Sequence, residues 1–238
     1  MWKNLWLLVA SLLIFCGCGW VLVNGGQEIR TSNISISPIV LVSPAAAPTK
    51  NALFIGDSYT AGTGATSVRR SESFLTAQAM GWGFNVDAQP GTGFIADGLG
   101  RLEPLPARLE RDKQYFPDMD MVIVDSGRND AAGVRANTIR VARTYFAKLH
   151  DVYPHAKIIF IVPYYMASTS PPLSDEFTIF LTEQAALYGG LVIDPLQEKW
   201  ITPNQSSALT INDHVHPNNS GHQWIADHLV ADLKKARL

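Results

Sequence analysis

Short, uninterrupted apolar runs that alternate with helical patterns most constrain the fold of this 238-residue chain. The runs read ALFIG from residue 52, MVIVD from 121, KIIFIV from 157 and LVID from 191, with a weaker candidate, FNVDA, from 84. Strands with one solvent-exposed face alternate polar and apolar residues. Continuous apolar runs therefore predict strands that helices cover on both faces. The chain therefore predicts one three-layer α/β/α sandwich around a parallel sheet of about five strands.

Helical patterns fill the intervals between these runs. Residues 99–116 are predicted to be partly helical, with interruptions at Pro104 and Pro106. The other predicted helices span residues 72–80, 134–152, 177–188 and 216–238. The last of them places apolar side chains on one face at a spacing of four residues, which favours packing against the sheet.

The first 50 residues differ in character from the rest. Residues 1–23 include an apolar run of nineteen uncharged positions, 5–23, which predicts an uncleaved membrane anchor or a cleaved signal peptide. The positive charge before this segment favours a domain at the outer side of the cell membrane, or a secreted one. Residues 24–50 predict an extracytoplasmic linker, and residues 51–238 the folded domain. Both cysteines lie in the apolar segment, so this domain can form no internal disulfide.

Charge excludes one class of partner. The formal net charge is -2 at pH 7, and no basic tract occurs along the chain. Nucleic-acid binding depends on clustered positive charge, so no nucleic-acid partner is expected.

Polar residues follow the predicted strands at the edge where open parallel sheets bind their ligands. Each is common alone, since serine and glycine after a strand usually form a turn. Together they supply a nucleophile, amide donors and an acid–base pair, the parts of an acyl-transfer site. The residues in these positions are Ser58, Gly91, Gly93, Asn129, Asp213 and His216.

The candidate nucleophile needs a base, because a serine hydroxyl attacks poorly until its proton is removed. His216 can accept that proton, and Asp213, three residues earlier, can orient the ring. Pro217 suits the first position of the last helix and would hold His216 at a rigid junction. Donors for the developing oxyanion would be the Ser58 N–H, expected at a helix start, with the Gly91 N–H and the Asn129 amide. Gly93 is the alternative to Gly91.

The stretch NDHVHPNNSGH, residues 212–222, also allows a metal site or a charged surface patch. A metal would require Asp213, His214, His216 and His222 to converge, and Ser58 would then have no role. The acid–base interpretation is preferred, with His214 as a bystander and His222 as a structural residue. No metal or cofactor is expected.

Three motifs carry a family resemblance: Gly56-Asp57-Ser58-Tyr59, Gly127-Arg128-Asn129-Asp130 and Asp213-His214-Val215-His216-Pro217. They resemble those of the SGNH hydrolases, the GDSL-type esterases and lipases, over residues 50–238. The resemblance implies a flavodoxin-like sheet of order 2-1-3-4-5 and a serine esterase that forms an acyl-enzyme.

The same resemblance, together with the expected export, favours a carbohydrate O-deacetylase that acts on a small ester or an acetylated glycan. The protein is expected to be a monomer. A lipase, a thioesterase or an O-acyltransferase could use the same site, and a non-catalytic glycan-binding module is the alternative outside enzymes. The polar loop from Tyr164 to Phe177 either edges the site and shapes specificity or is a plain connection.

Overall fold

The computed structural model describes residues 47–131, 135–166, 172–173, 175–202 and 205–238. The predicted anchor or signal peptide and almost all of the predicted linker lie outside these residues. Within them, no helix combines the length and hydrophobicity that a bilayer span requires. Chain packing begins slightly before the predicted domain boundary, since the Thr49 N–H donates to the Gly81 carbonyl.

A parallel sheet of five strands forms the centre of the described chain, in the order β2-β1-β3-β4-β5. Both the three-layer sandwich and the flavodoxin-like order are thereby confirmed. The strands are β1 (Asn51–Gly56), β2 (Gly83–Ala88), β3 (Met121–Asp125), β4 (Lys157–Ile161) and β5 (Leu191–Ile193).

Helices cover the two faces of the sheet in separate groups. Helices α1 and α6 lie on one face, and α2, α3 and α4 on the other. Their bounds are α1 (Glu72–Met80), α2 (Leu105–Tyr115), α3 (Arg135–Val152), α4 (Asp175–Tyr188), a short α5 (Ser206–Leu209) and α6 (Asn219–Lys235). The two prolines were predicted to interrupt a helical segment. Instead, Pro104 and Pro106 lie at the start of α2, where a backbone N–H has no partner within the helix and its absence costs little.

Alternate residues of β1, β3 and β4 enter different cores. Leu53 and Ile55 of β1 face α2, α3 and α4, whereas Ala52 and Phe54 face α1 and α6, and all four are at most 2% exposed. Burial on both faces explains why the strands are continuous apolar runs. The same packing sets the register, so Gly56 lies beside the last residues of both β2 and β3. The segments that follow these strands therefore leave the sheet at one edge.

The last helix begins three residues later than predicted. Pro217 pairs with Thr210 in a short antiparallel bridge, and the Asn218 side chain caps α6 by accepting the Gly221 N–H. An extended residue before a cap cannot also be the first helical residue, so Pro217 lies outside the helix. The expected rigidity at His216 comes from this bridge, because the His216 carbonyl beside it accepts the Ile211 N–H at 2.9 Å.

Candidate active site

Ser58 lies in a turn directly after β1, not at a helix start as predicted. The Ala61 N–H donates to the Asp57 carbonyl at 3.0 Å, which forms a single helix-like turn. Gly62 then takes a φ of 80°, a conformation that ends such a turn. Helix α1 begins only at Glu72, so the Ser58 N–H belongs to a tight turn and gains no long helix dipole.

Three side chains predicted from distant motifs meet at this turn. The Ser58 Oγ lies 2.9 Å from the His216 Nε2, and the His216 Nδ1 lies 2.6 Å from the Asp213 Oδ2. Ser58 and His216 are 158 residues apart in the chain. This geometry lets the ring accept a proton from the hydroxyl while its other nitrogen donates to the carboxylate.

Asp213 also shapes the loop that carries the histidine. Its Oδ1 accepts the N–H groups of Val215 and His216, each at 2.9 Å. The hydrogen bond from the His216 side chain, with these two backbone bonds, lowers the pKa of Asp213 to about 2, against an opposing effect of burial. The carboxylate is therefore ionised at neutral pH and can stabilise a charged imidazole.

Asn129 and the glycine turn after β2 lie next to each other. The Asn129 Nδ2 donates one hydrogen to the Thr92 carbonyl at 2.9 Å, and the amide side chain lines the cleft at Ser58. Gly91 has a φ of 82°, and its N–H meets no acceptor among the described residues. The Gly93 N–H, by contrast, donates to the Ala96 carbonyl at 2.9 Å. Gly91 is thus the glycine with an N–H available to a ligand.

Gly93 serves the packing of Asp130. The Asp130 carboxylate accepts three consecutive backbone N–H groups, those of Phe94, Ile95 and Ala96, at 2.7–2.9 Å. A Cβ on Gly93 would lie 2.3 Å from the Asp130 Oδ2, far inside van der Waals contact. The absence of a side chain at residue 93 therefore lets Asp130, and with it Asn129, approach the β2 turn.

A buried ion-pair cluster lies beneath the serine turn, and sequence reasoning assigned it no role. Arg128 is 3% exposed and donates to both Asp57 oxygens at 3.1 Å and to the Asp125 Oδ1 at 2.6 Å. Its Nε–H donates to the Tyr164 carbonyl at 2.8 Å. The sequence did hold a signal for this cluster, namely opposite charges close to strand ends. Arg128 and Asp57 each belong to a quoted motif, and Asp125 ends β3.

This cluster holds two carboxylates against one guanidinium. Burial raises the pKa of Asp125; Arg128 opposes that rise, and the neighbouring Asp57 adds to it. The guanidinium also lies 4.1 Å from the Tyr59 ring centre and 4.8 Å from that of Tyr164, so aromatic faces cover it. The ends of β1, β3 and β4 are tied together through this one side chain.

An open cleft of about 320 Å³ lies over the serine. Tyr165 lines it and donates its hydroxyl to the Arg128 carbonyl at 3.1 Å, so the loop after β4 does edge the site. Residues 167–171 and 174 of that loop lie outside the described chain. The residues around the cleft are Ser58, Tyr59, Arg128, Asn129, Tyr165, His214, Val215 and His216.

The histidines of the 212–222 stretch lie in different environments and do not converge on one point. His214 is exposed at the cleft with a φ of 57°, whereas His222 is fully buried and bonds to the Glu72 carboxylate and, at 3.1 Å, to the Thr63 carbonyl. In the described residues, no three His, Cys, Asp or Glu side chains are grouped as a metal would need. His222 thus joins α6 to α1 and to the turn after Ser58, the structural role predicted for it.

The buried pair predicts a pH dependence of stability. Burial lowers the pKa of His222, but the Glu72 carboxylate and the Thr63 carbonyl outweigh it, and the net pKa is raised. A raised folded-state pKa stabilises the fold below the unfolded value of about 6.5, and this contribution is lost as pH rises through the folded pKa. Urea unfolding of the wild type is therefore expected to show a free energy of unfolding that falls above about pH 6.5.

A double variant, Glu72→Gln with His222→Gln, isolates this effect, because other buried acids titrate in both proteins. The difference in unfolding free energy between the wild type and the double variant is expected to shrink with rising pH. A difference that stays constant from pH 6 to 9 would contradict the assignment of a charged pair.

The motifs of this site lie in a region that matches a known protein family and a curated relative. A family model described as the GDSL-like lipase/acylhydrolase family matches residues 54–224, which include Ser58, Asn129, Asp213 and His216. A GDSL lipase of Mycobacterium tuberculosis is 28% identical over 187 residues, covering 74% of this chain and 78% of that protein. The match thus spans the whole cleft.

Solved structures show the same fold at lower identity. A family two carbohydrate esterase from Cellvibrio japonicus superposes with a TM-score of 0.61 at 18% identity, over 79% of this chain. An acetyl xylan esterase from the rumen bacterium Butyrivibrio proteoclasticus superposes with a TM-score of 0.55, also at 18% identity and 79% coverage. This chain spans 61% of the first protein and 64% of the second, so each of them has substantial additional chain.

Proposed function

The chain belongs to the GDSL-like lipase/acylhydrolase family and is a serine ester hydrolase, and we propose that Ser58, His216 and Asp213 carry out its reaction. The observation that carries this assignment is the pair of distances that link the three side chains, 2.9 Å and 2.6 Å. These are the contacts of a nucleophile, its base and the group that orients the base.

In the first step, the Ser58 Oγ attacks the ester carbonyl while its proton passes to the His216 Nε2. The charged imidazole then protonates the departing alcohol, which leaves an acyl group on Ser58. Water, activated by the same ring, attacks this acyl-enzyme and releases the acid. Asp213 stays ionised throughout, because its pKa of about 2 is far below neutral pH.

The oxyanion of each tetrahedral intermediate would be bound by three donors: the N–H of Ser58, the N–H of Gly91 and the free Nδ2 hydrogen of Asn129. All three are neutral, so none must lose a strongly held hydration shell when a substrate enters. The occupied N–H of Gly93 supports Gly91 as the backbone donor after β2.

The proposed substrate is an acetyl ester on a polysaccharide. Support comes from the cleft, which is open to solvent and carries two rim side chains, Tyr165 and His214, that can hydrogen-bond sugar hydroxyls. The carbohydrate esterases with the same fold are consistent with this choice. The uncharged stretch within residues 1–23 supports export, which would bring the domain to glycans outside the cytoplasmic membrane.

Acetate release from acetylated xylan and acetylated mannan by the full-length chain tests this function. The blank is the same protein inactivated with a fluorophosphonate, and peptide mapping locates the adduct, which is expected on Ser58. Because the mycobacterial relative is named a lipase, hydrolysis rates on p-nitrophenyl acetate, butyrate and octanoate are compared to measure the preferred acyl length. A preference for octanoate would indicate a lipase, and an adduct on another residue would contradict the nucleophile.

Asn129→Ala is expected to lower kcat on p-nitrophenyl acetate by about 10²- to 10³-fold with a small change in KM, the usual effect of losing one oxyanion donor. The side chain is exposed, so the variant should fold normally. Asn85→Ala is the matched control, since the Asn85 amide donates to the Ala52 carbonyl within the sheet, away from the cleft. Equal kcat values for Asn129→Ala and the wild type would remove Asn129 from the site.

A further inference from the structure

The Tyr59 side chain joins three parts of the site. Its hydroxyl donates to the Val215 carbonyl at 2.6 Å and accepts the Met166 N–H at 3.1 Å. Tyr59 directly follows Ser58, Val215 directly precedes His216, and Met166 follows β4. One hydroxyl that is almost fully buried therefore connects the nucleophile turn to the loop that carries the base.

We propose that Tyr59 is a positioning residue, whose hydroxyl holds the Val215 carbonyl and thereby keeps the His216 ring in contact with the Ser58 oxygen. The proposal rests on the function assigned above. Tyr59 touches neither the substrate carbonyl nor the transferred proton in this role, and it acts only through the loop of residues 213–216.

That loop needs an anchor in the protein interior. Asp213, His214 and Val215 are exposed, and His214 adopts a φ of 57°, which is unfavourable for a residue with a Cβ. Asp213 holds the N–H groups of the loop, and the Ile211 N–H holds the His216 carbonyl. For the Val215 carbonyl, Tyr59 supplies the hydrogen-bond donor among the described residues. Without it, the loop backbone keeps hydrogen bonds to its own neighbours but loses its bond to the serine turn, and within the described residues only the His216 side chain still contacts that turn.

Tyr59 is itself held rigidly. Its ring packs on the Arg128 guanidinium at 4.1 Å and meets the Tyr164 ring edge-on at 5.8 Å. Burial raises the pKa of Tyr59, so the hydroxyl is protonated at neutral pH and remains a donor there. A fixed donor of this kind can transmit the position of the β1 turn to the histidine loop.

Tyr59→Phe keeps both ring contacts and removes only the hydroxyl. Its kcat on p-nitrophenyl acetate is expected to fall by about 10- to 100-fold with KM within about twofold, since misplacing a base by a fraction of an ångström slows chemistry and leaves the cleft walls unchanged. Replacing Tyr59 with 4-aminophenylalanine returns a donor and is expected to restore most of kcat. This second variant also keeps the test valid if the Phe variant folds poorly.

A further measurement, made on two variants, distinguishes a positioning role from a general loss of rigidity. The downfield proton resonance of the His216 Nδ1–H, bonded to Asp213, is expected to broaden or shift in Tyr59→Phe. It should not change in Tyr145→Phe, a control that removes a buried hydroxyl with no partner among the described residues and leaves kcat unaltered.

A Tyr59→Phe kcat within twofold of the wild type, or an unaltered His216 resonance, would overturn the proposal. An amino variant no more active than the folded Phe variant would do so as well. If Ser58→Ala is as active as the wild type, the assignment of Ser58 as the nucleophile and of His216 as its base fails, so the two failures are distinguishable.

Discussion

Ser58→Ala is expected to lower kcat on p-nitrophenyl acetate by about 10⁴- to 10⁶-fold, because alanine offers no atom that can form the acyl-enzyme. The change should leave the fold intact. The Ser58 hydroxyl makes one hydrogen bond in the described structure, to the His216 ring, and the serine is 7% exposed at the floor of the cleft. Steady-state kinetics with a circular-dichroism check of folding measures both quantities.

Ser126→Ala is the matched control for this prediction. Ser126 follows β3 as Ser58 follows β1, is 2% exposed, and has a hydroxyl with no hydrogen-bond partner among the described residues. Its loss should leave kcat unchanged. A Ser58→Ala protein that keeps a tenth of the wild-type activity after purification free of other esterases would mean that another group is the nucleophile.

The largest effect on stability is expected from Arg128→Met. Methionine fills most of the space but leaves Asp57 and Asp125 buried without their cation, and unpairing a buried charge costs about 3–5 kcal/mol. The Tyr164 carbonyl also loses its donor. Urea unfolding followed by tryptophan fluorescence should show a midpoint far below that of the wild type with a similar dependence on urea.

Two comparisons sharpen that experiment. Adding Asp125→Asn to Arg128→Met should recover part of the lost free energy, because one of the two stranded carboxylates becomes neutral. Arg143→Met is the surface control, since Arg143 and its partner Glu183 are both more than half exposed and 4.0 Å apart, and a change within about 0.5 kcal/mol is expected. Equal destabilisation by Arg128→Met and Arg143→Met would refute the importance of the buried cluster.

The sheet could be predicted because its signal is local. In runs such as MVIVD and KIIFIV, consecutive apolar residues indicate a strand that is buried on both faces. The observed β3 has the predicted bounds. Convergence of Ser58, Asn129, Asp213 and His216 followed from the rule that parallel strands end at one edge. The sheet order places β1 beside β3, which brings Ser58 and Asn129 to one cleft, and the loop before α6 carries His216 into the same cleft.

Features that depend on contacts between distant segments could not be predicted. Pro217 favours a helix start by its own geometry, but pairing with Thr210 keeps it extended and moves the cap to Asn218. The choice between Gly91 and Gly93 depends on where Asp130 packs, 37 residues after Gly93 in the chain. Arg128 gave no periodic signal, because its role arises only when the ends of three strands meet.

The order in which the parts occur along the chain has a consequence for synthesis. Ser58 leaves the ribosome 158 residues before His216, and α6 follows His216 in the chain. The bond from His222 to Glu72 spans 150 residues, so α6 can dock on α1 only after all five strands of the sheet have been synthesised. A growing chain that lacks residue 216 therefore carries a serine without its base, and hydrolysis becomes possible only when the loop before α6 reaches the serine turn.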